Sequence, residues 1–242
     1  LSAIGDCVHV VPMVQAIQHQ WPQTKLTWIM GKNEANLLGD LPNIEVLPFD
    51  KSMGIKAYIS IWNQLHHRHF DALLHMQSAF RASLLTLGIK ADKTLGFDRQ
   101  RASDGQFLFT NYKVPSPELP HVLDGFMAFS AELGINDLTP KWNIPISHTD
   151  NEWAKQQIDP KKLTLLISPA ASKSYKNWTS DGYAALTDHA AKKGFKVILC
   201  GGPSTQEKQL AATITEKCLH KPTNLVGKTS LKRLFDHRGQ CQ

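Results

Sequence analysis

Apolar residues follow two alternating rhythms along this chain. Short runs at 25–30 (KLTWIM), 44–49 (IEVLPF), 70–76 (FDALLHM) and 93–98 (KTLGFD) have the length and composition of strands. Between them the spacing is helical. Val10, Val14 and Ile17 stand at i, i+4 and i+7 within Cys7 to Gln20, and 56–67 and 79–87 repeat that behaviour. Strand–helix alternation of this kind predicts a parallel sheet covered by helices on both faces.

The texture changes after Tyr112. The stretch KVPSPELP (113–120) holds three prolines in eight residues, which predicts loop. Residues 121–134 read as one amphipathic helix closed by Gly134, and 139–150 (TPKWNIPISHTD) is irregular again, which places a linker there. A second series follows: a strand at 163–170, a helix from Ser180 to Lys193, a strand at 195–202 (FKVILCGG) running into a glycine turn, a helix from Ser204 to Cys218, and a shorter strand at 223–228. The expected fold is α/β, two doubly wound Rossmann-like domains spanning 1–140 and 141–242. The second, with about three strands against a usual five or six, is expected to be incomplete. The chain opens on a loop that should follow a strand, and SLKRLF (230–235) starts a helix that passes into DHRGQCQ without apolar periodicity. The sequence therefore reads as a fragment or a frame-shifted product.

Composition narrows the function classes. No run of about 18 uncharged apolar residues occurs, so no transmembrane segment is expected. The start lacks the basic and small-residue features of a signal peptide. Cys7, Cys200, Cys218 and Cys241 show neither CxxC nor metal-ligand spacing, which fits free thiols in a reducing, cytoplasmic setting. The net charge of +6 favours an anionic partner, and Lys51 to Arg101 carries eight Lys/Arg against three Asp. No RNP, zinc-finger or helix-turn-helix pattern accompanies that charge, so nucleic acid is not expected. A membrane surface, a phosphorylated ligand and a merely solvated basic face all remain compatible with it.

Three segments could carry chemistry. In Ala3-Ile4-Gly5-Asp6-Cys7-Val8-His9, Gly5 permits close backbone approach and Asp6 sits where a helix begins. A carboxylate there is either an N-cap, contributing about 0.5–2 kcal/mol, or a general base at a cleft edge. In Ser168 to Trp178 a strand gives way to a turn and a helix, where backbone N–H groups and a lysine can hold phosphate. The Walker A spacing is missing, and a polar surface loop over a packed Trp explains the same residues. The third, Gly201-Gly202-Pro203 followed by Glu207, is a strand-to-turn junction common in Rossmann-like sheets. His66, His67 and His69 lie near a helix end and lack the companion ligands of a zinc site, so no metal is expected.

In this order and spacing, IGDxxHxxP (Ile4, Gly5, Asp6, His9, Pro12), PAASxxxKxW (Pro169 to Ser172, Lys176, Trp178) and GGPxxxE (Gly201 to Pro203, Glu207) resemble glycosyltransferase family 9, the ADP-heptose–lipopolysaccharide heptosyltransferases. TWIMGKNEANLL, FDALLHMQSAFRAS and LGFDRQRA share the likeness, which spans residues 1 to about 234. The resemblance implies a GT-B enzyme that inverts at the anomeric carbon without metal or cofactor. It implies Asp6 as the catalytic base, and Ser172, Lys176 and Glu207 on the ADP-heptose donor. Gly5, His9, Arg81, Arg99 and Arg101 are then placed on the acceptor, the anionic Kdo-bearing core of lipid A, which implies work in the cytoplasm or peripherally at the inner membrane surface. Ala171 stands where the family often has a hydroxyl. The family's D-[ST]-G-x-x-H motif finds no match after Leu234, so low activity is expected of this chain. Two alternatives stay open: another GT-B sugar transferase, and a non-catalytic product that at most binds the anionic lipopolysaccharide core.

Overall fold

A computed structural model describes residues 3–171 and 173–234 of the chain. Ser172, Cys241 and the tail beginning at Phe235 lie outside the described residues. The chain divides into two compact units, Leu1–Ile144 and Pro145–Gln242.

The first unit runs α1 (Ile4–Gln20), β1 (Leu26–Gly31), α2 (Lys32–Leu38), β2 (Ile44–Phe49), α3 (Ile55–Leu65), β3 (His69–His75), α4 (Phe80–Thr86), β4 (Lys90–Phe97), β5 (Tyr112–Val114) and α5 (Val122–Glu132). Its strands are parallel throughout. β1 pairs with β2 from Leu26↔Ile44 to Gly31↔Phe49, β3 with β4 from His69↔Lys90, and β4 with β5 from Leu95↔Tyr112. On one face, Val10, Met13 and Ile17 of α1 pack with Phe126 and Phe129 of α5 against Leu95 and Val114. On the other, Ala57, Ile61 and Leu65 of α3 and Leu85 of α4 pack on Leu47 and Phe49. β1 serves both layers, Leu26 and Trp28 joining the first and Ile29 the second, as period-two alternation requires.

Local chemistry fixes α1. Pro12 has no N–H and leaves the carbonyl of Val8 without its helical partner. The indole Nε1 of Trp142 donates to that oxygen at 3.0 Å. The Gln15 side chain clamps Asn143 through Nε2 to its O (2.9 Å) and Oε1 from its N (3.1 Å). Residues 139–144 are thus strapped along α1 although they form no regular element.

The second unit runs α6 (His148–Gln157), β6 (Thr164–Ile167), α7 (Ser180–Lys192), β7 (Lys196–Leu199), α8 (Thr205–Lys217) and β8 (Thr223–Asn224), with parallel strand order β6-β7-β8. Ile167, Val197, Leu199, Ala184, Ala190, Ala211 and Ile214 form its core.

The strands read from apolar runs all appear, within a few residues of their expected ends. Three expectations need correction. Residues 113–114 belong to β5, inside the stretch expected to be loop, because a three-residue edge strand needs only Leu95–Phe97 beside it. Residues 148–150 open α6, because Ser147 accepts from the N–H of Asp150 and caps a helix there. The first helix starts at Ile4, so Asp6 lies in its first turn and Ala3 is the N-cap.

Candidate functional site

Asp6 is half-buried in the first turn of α1, and no hydrogen bond or ion pair engages its carboxylate among the described residues. A carboxylate in the first turn of a helix faces the positive end of the helix dipole, worth about 0.3–1 kcal/mol. Gly5 beside it is exposed, and a Cβ there would meet nothing within 4 Å, which leaves open space against the backbone. One turn on, His9 packs edge-on against His121 with ring centroids 5.7 Å apart, and its Nδ1 is buried without a protein partner. Asp6 and Cys7 also border a cavity of about 650 Å³ walled by β1 and β3 and reaching His75 and Gln77.

At the far end of β3 a polar network is built into the core. Gln106, fully buried, donates from Nε2 to His75 O (2.8 Å) and accepts from the N–H of Phe97 (3.2 Å), joining the ends of β3 and β4. His75 Nε2 and Ser83 Oγ lie 2.9 Å apart, and burial pushes the imidazole pKa down to about 4. The next polar residue, Gln77, has its Oε1 buried with no partner. Burial likewise pushes the Cys7 thiol up to about 11, so it is an inert core group.

The three arginines differ. Arg81 and Arg99 are exposed. The guanidinium of Arg101 is occupied within the fold: it donates to Val114 O (2.8 Å), Pro115 O (2.7 Å) and Gly125 O (3.4 Å), faces Asp98 at 3.5 Å and lies 4.9 Å over the Phe97 ring.

In the second unit, Lys176 ends a short 3-10 turn (Ser174–Lys176) after β6 and is exposed. The turn is held by Asn177, whose Oδ1 accepts from Ala171 N at 2.7 Å, and by Trp178, whose ring lies over Gly182 and against Tyr183 (5.3 Å). A Cβ on Gly182 would sit 2.5 Å from Trp178 Cε2, so the close approach depends on glycine. Glu207 closes the turn after β7. Its Oε1 accepts from Gly202 N (3.0 Å) and its Oε2 from Ser204 Oγ (2.6 Å), while Ser204 Oγ accepts from Glu207 N (3.2 Å). This capping box holds the Glu207 carboxyl below the usual carboxylate range, first through Ser204 and then through the Gly202 and Ser204 backbone.

The structure thus brings Gly5, Asp6 and His9 together on the first turns of α1, places Lys176 and Glu207 on strand-to-helix turns of the second unit, and fixes Arg101 as a brace. Ser172 lies outside the described residues. Sequence reasoning missed Gln77, His121 and the His75–Ser83 pair. Two polar residues, His75 and Gln77, flanking Met76 after the apolar run Ala72-Leu73-Leu74 were the one available signal for two of them. Among the described residues no His/Cys/Asp/Glu group could hold a metal, and no helix is long and apolar enough to cross a membrane.

Parallel sheets flanked by helices, with chemistry-bearing residues on strand-to-helix turns, define a GT-B-like glycosyltransferase fold. The solved glycosyltransferase family 9 protein of Veillonella parvula superposes with a TM-score of 0.83 at 19% identity, over 99% of this chain and 72% of that one. The Escherichia coli heptosyltransferase WaaC with ADP-2-deoxy-2-fluoro heptose gives 0.77 at 19% identity, over 99% and 78%. The model of glycosyltransferase family 9 (heptosyltransferase) matches residues 58–237. The chain is 47% identical over 234 residues to the lipopolysaccharide core heptosyltransferase OpsX of Haemophilus influenzae, covering 97% of this chain and 67% of that relative. The chain belongs to glycosyltransferase family 9, and its chemistry is glycosyl transfer.

Proposed function

We propose that this protein transfers heptose from ADP-heptose to the Kdo-bearing inner core of lipopolysaccharide with inversion at the anomeric carbon. The observation that carries this reading is the unengaged, half-buried carboxylate of Asp6 beside the open backbone of Gly5. The other carboxylate singled out, Glu207, is held at both oxygens. The name of the Haemophilus relative supports a lipopolysaccharide core acceptor, and the nucleotide sugar in the WaaC structure supports the donor.

In this mechanism Asp6 takes the proton of the attacking acceptor hydroxyl. The oxygen forms a bond to the anomeric carbon as the bond to the diphosphate breaks, and the charge leaves on ADP. Lys176, with backbone N–H groups of its turn, stabilises that leaving diphosphate. Glu207 acts on the donor through the turn it shapes, with Ser172 as a further donor contact. Gly5 and His9 face the acceptor, with Arg81 and Arg99 as its exposed cations. Arg101 serves that surface indirectly by bracing the 98–101 and 114–115 segments. Residues 1–144 carry the acceptor side and 145–242 the nucleotide-sugar side.

Because the chain spans 67% of the Haemophilus relative, full transfer is assigned to the family-length protein and low activity to the 242-residue chain alone. The test is heptose transfer from ADP-heptose to Kdo-lipid A by both forms. Asp6→Asn in the family-length form should lower kcat by about 10²–10⁴-fold with little change in KM, as loss of a general base does. Lys176→Ala should also lower kcat. A folded family-length protein inactive on this pair but active with another nucleotide sugar would replace the substrate assignment. Core binding without turnover would make it a binding protein.

A further inference from the structure

Large apolar side chains left in water are ordinary when scattered and informative when they gather. In the first unit they gather at the carboxyl ends of the strands. After β2 come Met53 and the start of α3, where Ile55 and Ile59 stand one turn apart, outside the face that Ala57, Ile61 and Leu65 bury. After β3 comes Phe80 at the start of α4, and after β4 come Phe107 and Leu108 in the loop to β5. Ile55 and Leu108 are 72% and 74% exposed. Gln106, buried beneath that loop, pins it to the ends of β3 and β4, so Phe107 and Leu108 stand on a fixed base. Hydrogen bonds stitch the three segments into one rim. Tyr58 Oη donates to Arg81 O (3.4 Å), the Phe80 N–H to Asp104 Oδ2 (3.3 Å) and Ser78 Oγ to Arg101 O (3.3 Å).

Charge is sorted onto the same rim. Lys51, Lys56, Arg81 and Arg99 are exposed on these segments, with no salt bridge among the described residues. The carboxylates there are turned to backbone. Asp50 accepts from Ser52 N (3.0 Å), Asp104 from Phe80 N, and Asp98 from Ser116 N (2.8 Å) while facing Arg101. Asp71 and Asp92 lie near the opposite, amino ends of β3 and β4. A soluble anion would use the cations but leave Ile55, Phe107 and Leu108 in water, and a purely apolar partner would leave the cations unmatched. Anionic headgroups over an apolar interior match both. We infer that this rim docks on the surface of an anionic phospholipid bilayer. Ile55, Phe107 and Leu108 enter the boundary with the acyl chains, and Lys51, Lys56, Arg81 and Arg99 meet the headgroups. The inference deepens the proposed reading, in which the acceptor is lipid-borne, by holding the first unit against the surface that carries it. Docking itself needs no acceptor.

The test is cosedimentation of the 242-residue chain with phosphatidylethanolamine vesicles, with and without phosphatidylglycerol, neither containing lipopolysaccharide. The chain should pellet with the phosphatidylglycerol vesicles. Its partition should fall about tenfold as NaCl rises from about 0.05 M to about 0.5 M, because the cations are screened. Ile55→Ser, Phe107→Ser and Leu108→Ser together should lower partition about tenfold or more through lost apolar contact. Leu87→Ser should change nothing, since Leu87 is also apolar and exposed but follows α4 at the other end of the unit. Should the triple variant fail to fold, Phe107→Trp serves instead: brominated phosphatidylglycerol should quench its emission beyond that of the parent chain. Equal partition onto both vesicles, an unaffected triple variant or no added quenching overturns the inference. So does vesicle binding that the family-length protein lacks, because the rim is then covered within the protein. Self-association lost in the triple variant, without vesicle binding, would give the rim to a second copy. In the family-length protein the triple variant should lose transfer to vesicle-borne acceptor and keep its KM for a deacylated one. Loss on both would place these residues in the acceptor site and overturn the docking. Vesicle binding without any heptose transfer would uphold the docking and remove only the substrate assignment.

Discussion

Carboxylates in this protein are separated by what already holds them. Asp188 accepts from the N–H groups of His220 (2.7 Å) and Leu219 (3.0 Å), which hold its carboxyl below the usual range, and Glu207 is fixed by its capping box. Each is committed to shaping backbone, whereas Asp6 is not. The same reasoning isolates His75, which the core holds neutral with a pKa near 4 against an ordinary 6.5. Its folded value is depressed, so between these two pH values the unfolded chain binds a proton that the folded chain does not. Stability should therefore fall as pH drops from 6.5 to 4, by at most about 1.4 kcal/mol per pH unit from this group. Urea unfolding as a function of pH measures it. His75→Leu should flatten that slope while lowering stability overall, because Ser83 Oγ loses its partner. An unchanged slope would mean that His75 titrates in the folded protein near its ordinary value.

Among the elements, those carrying a clear apolar run or apolar spacing were legible in the sequence, and those without one were not. β1, β2, β3, β6 and β7 stood out as apolar runs because parallel strands bury both faces. The helix α2 has seven residues and no side-chain cap, so less than two turns were available to reveal a period. β5 has three residues beside prolines that dominate the local signal. α6 buries only Ala154, and its sole marker was the Ser147–Asp150 cap. The site was legible as motifs, while the burial of Gln106 and the bracing of Arg101 depend on segments far apart in sequence. The turn carrying Lys176 depends on α7 in this way. Trp178 can lie on α7 only because residue 182 is glycine. Gly182→Ala should therefore displace the Trp178 ring and loosen the turn, raising the donor KM by about fivefold to tenfold, equivalent to roughly 1 kcal/mol or slightly more. Tryptophan emission should shift while far-ultraviolet circular dichroism stays constant. An unchanged donor KM together with a shifted emission would show that the turn does not touch the donor.

On the scale of the whole molecule, charge adds what neither motif nor packing provides. The net charge is +6, and the excess is concentrated between Lys51 and Arg101, where eight cations meet three Asp. Arg68 is paired with Glu45, and Arg101 braces the loop between β4 and β5. Arg81 and Arg99 are exposed. If the acceptor is a phosphorylated, anionic glycolipid core, these cations concentrate it at the protein without entering the bond-making step. Their effect should then fall on capture rather than on turnover. The Debye length shrinks from about 10 Å at 0.1 M salt to about 3 Å at 1 M, so raising NaCl tenfold from about 0.05 M should raise the acceptor KM several-fold and leave kcat nearly constant. Arg81→Ala combined with Arg99→Ala should raise KM at low salt and flatten its dependence on salt, since the charges being screened are gone. The donor KM serves as the internal control, because these arginines belong to the first unit and the donor turns to the second. A fall in kcat with constant acceptor KM would instead place the salt-sensitive charge at the reacting centre, with Lys176 the first residue to examine.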